Sequence, residues 1–250
     1  MQRLRRLVRR RSVRDAERAF VVEGSKVIAE ALAAGVVLES LYVAPGADDP
    51  LVEQALAAGA RVRELAPGVL EKVTDAVTPQ PLLAVAPYVD VALDEIADPR
   101  RVLVLVDVRD PGNAGTVLRT AEAAGIDGVV FCDGSVDIFN PKCVRASAGS
   151  LFHVPVVRGG DAVTVVGALK ERGLRCLGTV ADGGEPYDQV DWRSPVAVVF
   201  GNEAHGLPEG LSDVLDGFVT IPMEGRSESL NVGMAAAVLA FEMSRQRRAA

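Results

Sequence analysis

Apolar positions along the chain follow two patterns that take turns: short continuous or alternating runs, and longer stretches with apolar residues every three to four positions. In the first half, FVVEG (20–24) predicts a strand. Ser25 then caps a predicted helix running through Ala34, with Gly35 as its stop. SLYVA (40–44) predicts a strand, LVEQALAAG (51–59) a helix ended by Gly59, and RVREL (61–65) a strand. PGVLEKVTD (67–75) predicts a short helix and PLLAVAPYV (81–89) a further strand. This alternating α/β unit closes near residue 90. The acidic, weakly periodic DVALDEIADPR (90–100) marks a boundary, which divides the chain into a first domain (1–93), a linker (94–100) and a second domain (101–250).

The second half repeats the alternation. RVLVLVDV (101–108) is a continuous apolar run, as expected of a strand buried on both faces of a parallel sheet. GNAGTVLRTAEAAG (112–125) predicts a helix and GVVFCD (128–133) a strand; Asn140 and Pro141 form an N-cap and first-turn pair for PKCVRASAGS. FHVPVV, the helix AVTVVGALKERG, LRCLGTV and PVAVVFG continue the series, and after FVTIPM comes a final apolar helix, NVGMAAAVLAFEMSRQRR (231–248). Such alternation implies helices on both faces of a sheet, with ligands outside the carboxyl ends of its strands.

Composition narrows the function classes. With 250 residues and 49% apolar content the chain can build two modest cores, made mainly of Val, Leu and Ala because aromatic residues are few. No apolar run approaches a membrane span, and because no apolar block with a small-residue cleavage site follows the basic start, a secretory signal is not expected. Cys132, Cys143 and Cys176 are odd in number and widely spaced, which fits core thiols in a reducing cytoplasm. His153 and His205 lack a Cys pair, so no metal is expected. A net charge of −7 argues mildly against nucleic acid, yet residues 1–14 carry seven arginines and no acid before Asp15. Two readings stand: a nucleic-acid-binding arm that releases counterions, or a solvated first helix in a chain with only four lysines.

Three segments at predicted strand ends hold more Gly, Asn and charge than packing requires. The first, DVRDPGNAGTVLR (107–119), turns directly into a helix and leaves N–H groups free at its start. It contains Asn113 and Arg119. In the second, FGNEAHGLP (200–208), Gly201 and Gly206 bracket Glu203 and His205. In the third, IPMEGRSESLN (221–231), Ser227, Ser229 and Asn231 can each cap the last helix, and one cap would suffice. The dinucleotide, phosphate-cradle and nucleophile-elbow glycine motifs are absent. Residue chemistry therefore points to a binding or transfer site on three converging loops, with its ligand open.

These segments, in this order, resemble the SpoU/TrmH branch of the SPOUT methyltransferases, which modify ribose 2′-hydroxyls in tRNA or rRNA. DVRDPGNAGTVLRTAEAAG is similar to the family's first motif, FGNEAHGL to the second and IPMEGRSESLNVGMAAAVLAFE to the third; NPKCVRASAGSLFHVPV also looks like a family segment. FVVEGSKVIAEALAAG with ESLYVA resembles, more weakly, the small ribosomal-protein-like α/β RNA-binding domain that precedes many catalytic domains of this family. The resemblance implies a parallel-sheet SPOUT domain with a deep C-terminal trefoil knot, a bound S-adenosylmethionine and a homodimer packed through helices that include the last. It places Gly201, Ile221 and Leu230 at the cofactor, with Met223 nearby, and puts Asn113, Arg119, Glu203, Ser229 and Asn231 on the family's invariant polar positions. The family's arginine at the Arg119 position is usually assigned as base with help from an RNA phosphate. A phosphate-anchoring role is physically easier, because a guanidinium holds its proton.

The expected activity is transfer of a methyl group from S-adenosylmethionine to a ribose 2′-hydroxyl, on rRNA rather than tRNA, in the cytoplasm. The alternative is a catalytically silent RNA-binding or ribosome-assembly protein of the same fold. Nothing in the residues separates housekeeping from antibiotic resistance.

Overall fold

A computed structural model describes residues 1–74 and 78–249. Asp75, the last residue of the helix expected from PGVLEKVTD, lies outside the described residues. The elements in chain order begin with α1 (Gln2–Arg9), α2 (Arg11–Glu17), β1 (Ala19–Glu23), α3 (Ser25–Ala33) and β2 (Ser40–Val43). Next come α4 (Leu51–Ala57), β3 (Arg61–Glu64), α5 (Leu70–Val73), β4 (Leu82–Pro87), β5 (Arg101–Leu105) and α6 (Pro111–Ala124). The chain continues with β6 (Gly128–Phe131), α7 (Pro141–Ser147), β7 (Val156–Arg158), α8 (Ala162–Glu171) and β8 (Arg175–Thr179). It finishes with β9 (Glu185–Pro186), β10 (Val196–Phe200), β11 (Gly217–Thr220) and α9 (Val232–Arg248).

Two compact units result: Met1–Val89 with Asp137–His153, and Asp90–Val136 with Val154–Ala250. This division departs from the contiguous domains expected at 1–93 and 101–250. The excursion 137–153 belongs with the first unit because its side chains find partners there. Asp137 pairs with Arg14 at 2.5 Å, Arg145 with Glu23 at 3.0 Å, and His153 with Glu30 at 2.8 Å. Phe139 stacks on Tyr88 with ring centroids 3.9 Å apart and lies 4.6 Å from Phe20.

The first unit is built on a mixed sheet of order β1-β4-β2-β3, in which β4 runs antiparallel to both neighbours and β2 parallel to β3. The arginine-rich start is ordered as α1 and α2, and buries Leu4, Leu7, Val8 and Val13 in a core shared with β1 and β4. Ser25 is not the cap expected of it. Gly24 holds that place at φ +95°, a conformation costly for any residue with a Cβ, while the Ser25 hydroxyl donates to Asp49 at 2.6 Å.

The second unit carries an all-parallel sheet of order β7-β6-β5-β10-β8-β11-β9. Strands β5 and β10 are buried along their whole length, which explains their unbroken apolar runs. Burial of each such Val or Leu side chain contributes roughly 1.5–3 kcal/mol. Asn140 and Asn231 cap α7 and α9 through their side chains, as their sequence contexts predict. FHVPVV is only partly a strand: Ser150–Phe152 forms a 3-10 turn and pairing begins at Val156. The short edge strand β9 has no hydrophobic pattern to announce it. All three cysteines are buried thiols. Burial pushes the Cys132 and Cys176 thiols up to about 12, so neither is a nucleophile at neutral pH. No helix among the described residues is long and apolar enough to cross a membrane.

Candidate functional site

A cavity of about 400 Å³ opens at the carboxyl ends of β8, β10 and β11, in the range of small-ligand sites. Its walls come from four stretches. Thr179 to Ala181 leave β8; Phe200, Gly201, Asn202, Glu203 and Gly206 follow β10; Val219, Ile221 and Met223 follow β11; and Glu228 to Val232, with Ala235 and Leu239, enter α9. Of the residues singled out by sequence, Gly201, Ile221, Met223, Leu230, Glu203, Ser229 and Asn231 line this cavity.

Asn113 reaches the same place from α6. Its amide nitrogen donates to Glu203 Oε1 at 2.8 Å, and its amide oxygen accepts from Asn231 Nδ2 at 2.7 Å. Asn231 uses its own oxygen to accept from the Gly233 amide at 2.8 Å, so one side chain both caps α9 and joins the chain of polar groups. Asp110 caps α6 by accepting from the Asn113 backbone amide at 2.8 Å, which fixes where that helix starts. A glycine makes the arrangement possible. Gly233 on α9 lies against α6, where a Cβ would stand 2.9 Å from Thr116 Cγ2.

The turn after β10 is tightly folded. Asn202 and Gly206 exchange backbone hydrogen bonds at 2.9 Å in both directions. A Cβ on Gly201 would overlap the Gly206 carbonyl and stand 2.5 Å from the Leu207 nitrogen, so only glycine permits this close approach. Asn202 ties the turn to the loop after β5. Its Nδ2 donates to the Asp107 carbonyl at 2.8 Å, and its Oδ1 accepts from the amides of Ala204 and His205. Asp107 sits at φ +54°, an uncommon conformation for a residue with a side chain, and pairs with Arg109 at 2.8 Å.

Arg119 does not join this cluster. It is exposed on α6, outside the cavity wall, and makes no hydrogen bond or ion pair among the described residues. His205 is exposed and takes part through its backbone only. Sequence reasoning passed over Asn202, Asp107 and the β8 end. Asn202 was visible in the Gly-Asn-Glu string, but nothing in the string reveals that its amide braces a second loop. Thr179 to Ala181 carry no polar signal beyond one hydroxyl.

The cavity suits a ligand with both a flat apolar part and polar ends. Phe200, Ile221, Leu230 and Leu239 supply apolar wall. The backbone from Met223 to Leu230 makes no backbone–backbone hydrogen bond among the described residues, which leaves donors and acceptors for a ligand. No cluster of three or more His, Cys, Asp or Glu side chains able to hold a metal occurs among the described residues.

Comparison with known proteins gives the same region a name. Residues 100–241 match the SpoU rRNA Methylase family, and residues 1–84 match the MRM3-like substrate binding domain. The chain is 36% identical over 224 residues to the 23S rRNA (guanosine(2553)-2'-O)-methyltransferase RlmP of Bacillus subtilis, covering 90% of this chain and 88% of that one. Among solved structures, the SpoU methyltransferase AviRb from Streptomyces viridochromogenes in complex with AdoMet superposes with a TM-score of 0.88 at 28% identity, covering 100% of this chain and 98% of that one. An AdoMet-bound rRNA methyltransferase from Sinorhizobium meliloti does so at 0.85 and 30%, covering 98% and 93%. With the family match spanning every cavity-lining segment, the chain belongs to the SpoU rRNA methylase family.

Proposed function

We propose that the protein transfers a methyl group from S-adenosylmethionine to a ribose 2′-hydroxyl of RNA, with ribosomal RNA favoured over tRNA. The observation that carries this reading is the hydrogen-bonded series Glu203–Asn113–Asn231 at the rim of a cavity with the size and mixed polarity an adenosyl cofactor requires. When bound there, S-adenosylmethionine supplies an electrophilic methyl and departs as a neutral thioether, so no acid is needed for the leaving group. The chain's own tasks are to hold the cofactor, aim the 2′-oxygen and ease loss of its proton.

Gly201, Ile221, Met223 and Leu230 would hold the cofactor through backbone groups and apolar contact. Asn113 fixes one Glu203 oxygen, and the other has no protein donor among the described residues. That second oxygen can accept from a ribose hydroxyl. The exposed Ser229 hydroxyl can bond to the same ribose. Arg119, exposed and without a protein partner among the described residues, suits a phosphate of the RNA, where a planar guanidinium binds in bidentate fashion.

We further infer that the second unit is knotted and that the protein works as a homodimer. Strand β10 lies between β5 and β8, both formed earlier in the chain, and the chain then reaches β11 beyond β8 before α9 returns against α6. That order is what a threaded C-terminus requires, although threading is rare among folds. For the dimer, Met234 and Phe241 are 61% and 46% exposed, about two turns apart on α9 with the half-buried Ala237 and Val238 between them. The first unit would bind the RNA substrate.

Two measurements test the reading. Titration calorimetry with S-adenosylmethionine should give a saturable heat, whereas a silent RNA-binding protein would give none. Ribose-methylation mapping of total RNA from cells with and without the gene should reveal an rRNA 2′-O-methyl position that depends on it; an unchanged map removes the substrate claim.

A further inference from the structure

We propose that the outer face of α1, formed by Arg5, Arg6 and Arg9 and extended by Arg10 just beyond its end, is a rigid phosphate-contact surface for the RNA; this rests on the reading of the substrate as RNA. The seven arginines of residues 1–14 divide into groups with different work. Arg3 donates to both oxygens of Glu39, at 2.6 and 2.7 Å, and to Glu17 at 2.5 Å. Its guanidinium holds the Glu39 carboxyl below the usual carboxylate range. Arg14 is 3% exposed, paired with Asp137 and donating to the carbonyls of Leu7 and Val8. Arg11 lies 3.5 Å from Asp15, one turn on. Arg3 and Arg14 therefore hold the unit together, and their charge is compensated.

Arg5, Arg6 and Arg9 are exposed on the side of α1 opposite Leu4, Leu7 and Val8, and Arg10 is exposed at the extended residue that joins α1 to α2. Arg6 and Arg10 form no side-chain hydrogen bond or ion pair among the described residues. Arg5 donates to a backbone carbonyl, that of Lys72, which leaves its charge uncompensated and sets it beside α5.

Local preference is divided along this helix. Its first turn has no acid and holds Arg3 and Arg5 near the positive end of the dipole, whereas Arg6 and Arg9 sit in the last turn, where cations are favoured. Arg5 with Arg9 repeats a like charge at i,i+4, a spacing at which such pairs destabilise. Packing of the apolar face overrides these penalties. A site where local and global preferences conflict is where function is expected.

The partner follows from the chemistry. In a chain of net charge −7, a fixed all-arginine face is a local exception suited to a polyanion. Side chains at i,i+4 have Cβ atoms about 5–6 Å apart, so paired guanidiniums can bridge neighbouring phosphates. A membrane surface does not fit, because a membrane-lying helix needs a free apolar face and this one is in the core. Contacts of this kind set register and affinity without reading bases.

The test is salt-dependent binding of the full chain to an unmodified 23S rRNA transcript and to a short RNA duplex. Arg6→Gln with Arg10→Gln should lower the slope of log affinity against log salt by about 1 for each arginine lost, on both probes alike. The charge-matched pair Arg3→Gln with Arg61→Gln, two arginines whose charge is spent on Glu39, should leave the slope unchanged. Heat of S-adenosylmethionine binding should be the same in all three proteins. A wild-type slope in the Arg6/Arg10 variant, or an equal loss in the control, overturns the surface while leaving RNA as substrate. Absence of RNA binding by the wild-type chain overturns both.

Discussion

Asn113 shows how much can depend on one short side chain. Its amide offers a donor at one end and an acceptor at the other, and the structure uses both, towards Glu203 and Asn231. An aspartate would be nearly the same shape with no donor. Asn113→Asp would bring two carboxylates within 2.8 Å, so one of them must hold a proton to restore the hydrogen bond. Methyl transfer by this variant should therefore fall as pH rises and recover in part as it is lowered, whereas Asn113→Ala should lose activity with no such recovery. A flat pH–rate profile for the aspartate variant would remove Glu203 from the polar chain. Arg119 leads to a different expectation, because it stands outside the cavity. Arg119→Ala should reduce transfer by roughly a hundredfold or more, the scale of a lost transition-state electrostatic contact. Its affinity for S-adenosylmethionine should change less than threefold, about the 0.5 kcal/mol margin of a surface substitution. A near wild-type rate would take Arg119 out of the mechanism.

Among the secondary-structure elements, the sheet of the second unit was the most legible feature. Unbroken apolar runs such as VLVLV and VAVVF can hardly be anything except strands buried on both faces. The segments that follow β10 and β11 located three of the four cavity walls, while the segment after β5 supplies none. Element ends were read within a few residues, wherever a Gly, Asn or Asp marked them. The excursion 137–153 was not legible. Its attachment rests on pairs of residues more than a hundred positions apart, and one-dimensional periodicity does not encode such pairs. The basic start was half legible for a related reason: seven arginines left an arm and a solvated first helix both open, and the structure shows a helix that Leu4, Leu7 and Val8, with Val13 beyond it, tie to the core. Removing residues 1–14 would therefore disrupt the first unit rather than trim an appendage. The ion pair Arg14–Asp137, 3% and 6% exposed, tests the attachment. Asp137→Ala should cost about 3–5 kcal/mol, because it strands a buried guanidinium. The expected signature is a lower urea midpoint by circular dichroism; an unchanged midpoint would mean that Arg14 is held by the Leu7 and Val8 carbonyls alone.

For the molecule as a whole, the proposed dimer makes α9 serve two surfaces: one side packs against α6 and the other presents Met234 and Phe241. Phe241→Glu should shift light-scattering mass from that of two chains to that of one at micromolar concentration. A wild-type mass would move the interface elsewhere. Division of the chain into Met1–Val89 with Asp137–His153, and the remainder, carries a consequence for inheritance. The polypeptide passes between the units three times, so no single crossover in the gene separates them cleanly. A fusion that grafted a foreign substrate module at residue 90 would retain Asp137, Arg145 and His153 with their counter-charges Arg14, Glu23 and Glu30 removed. Lineages of such enzymes should therefore retarget by point changes on the exposed face of the existing module, or by acquiring both of its pieces together, and rarely by simple domain shuffling.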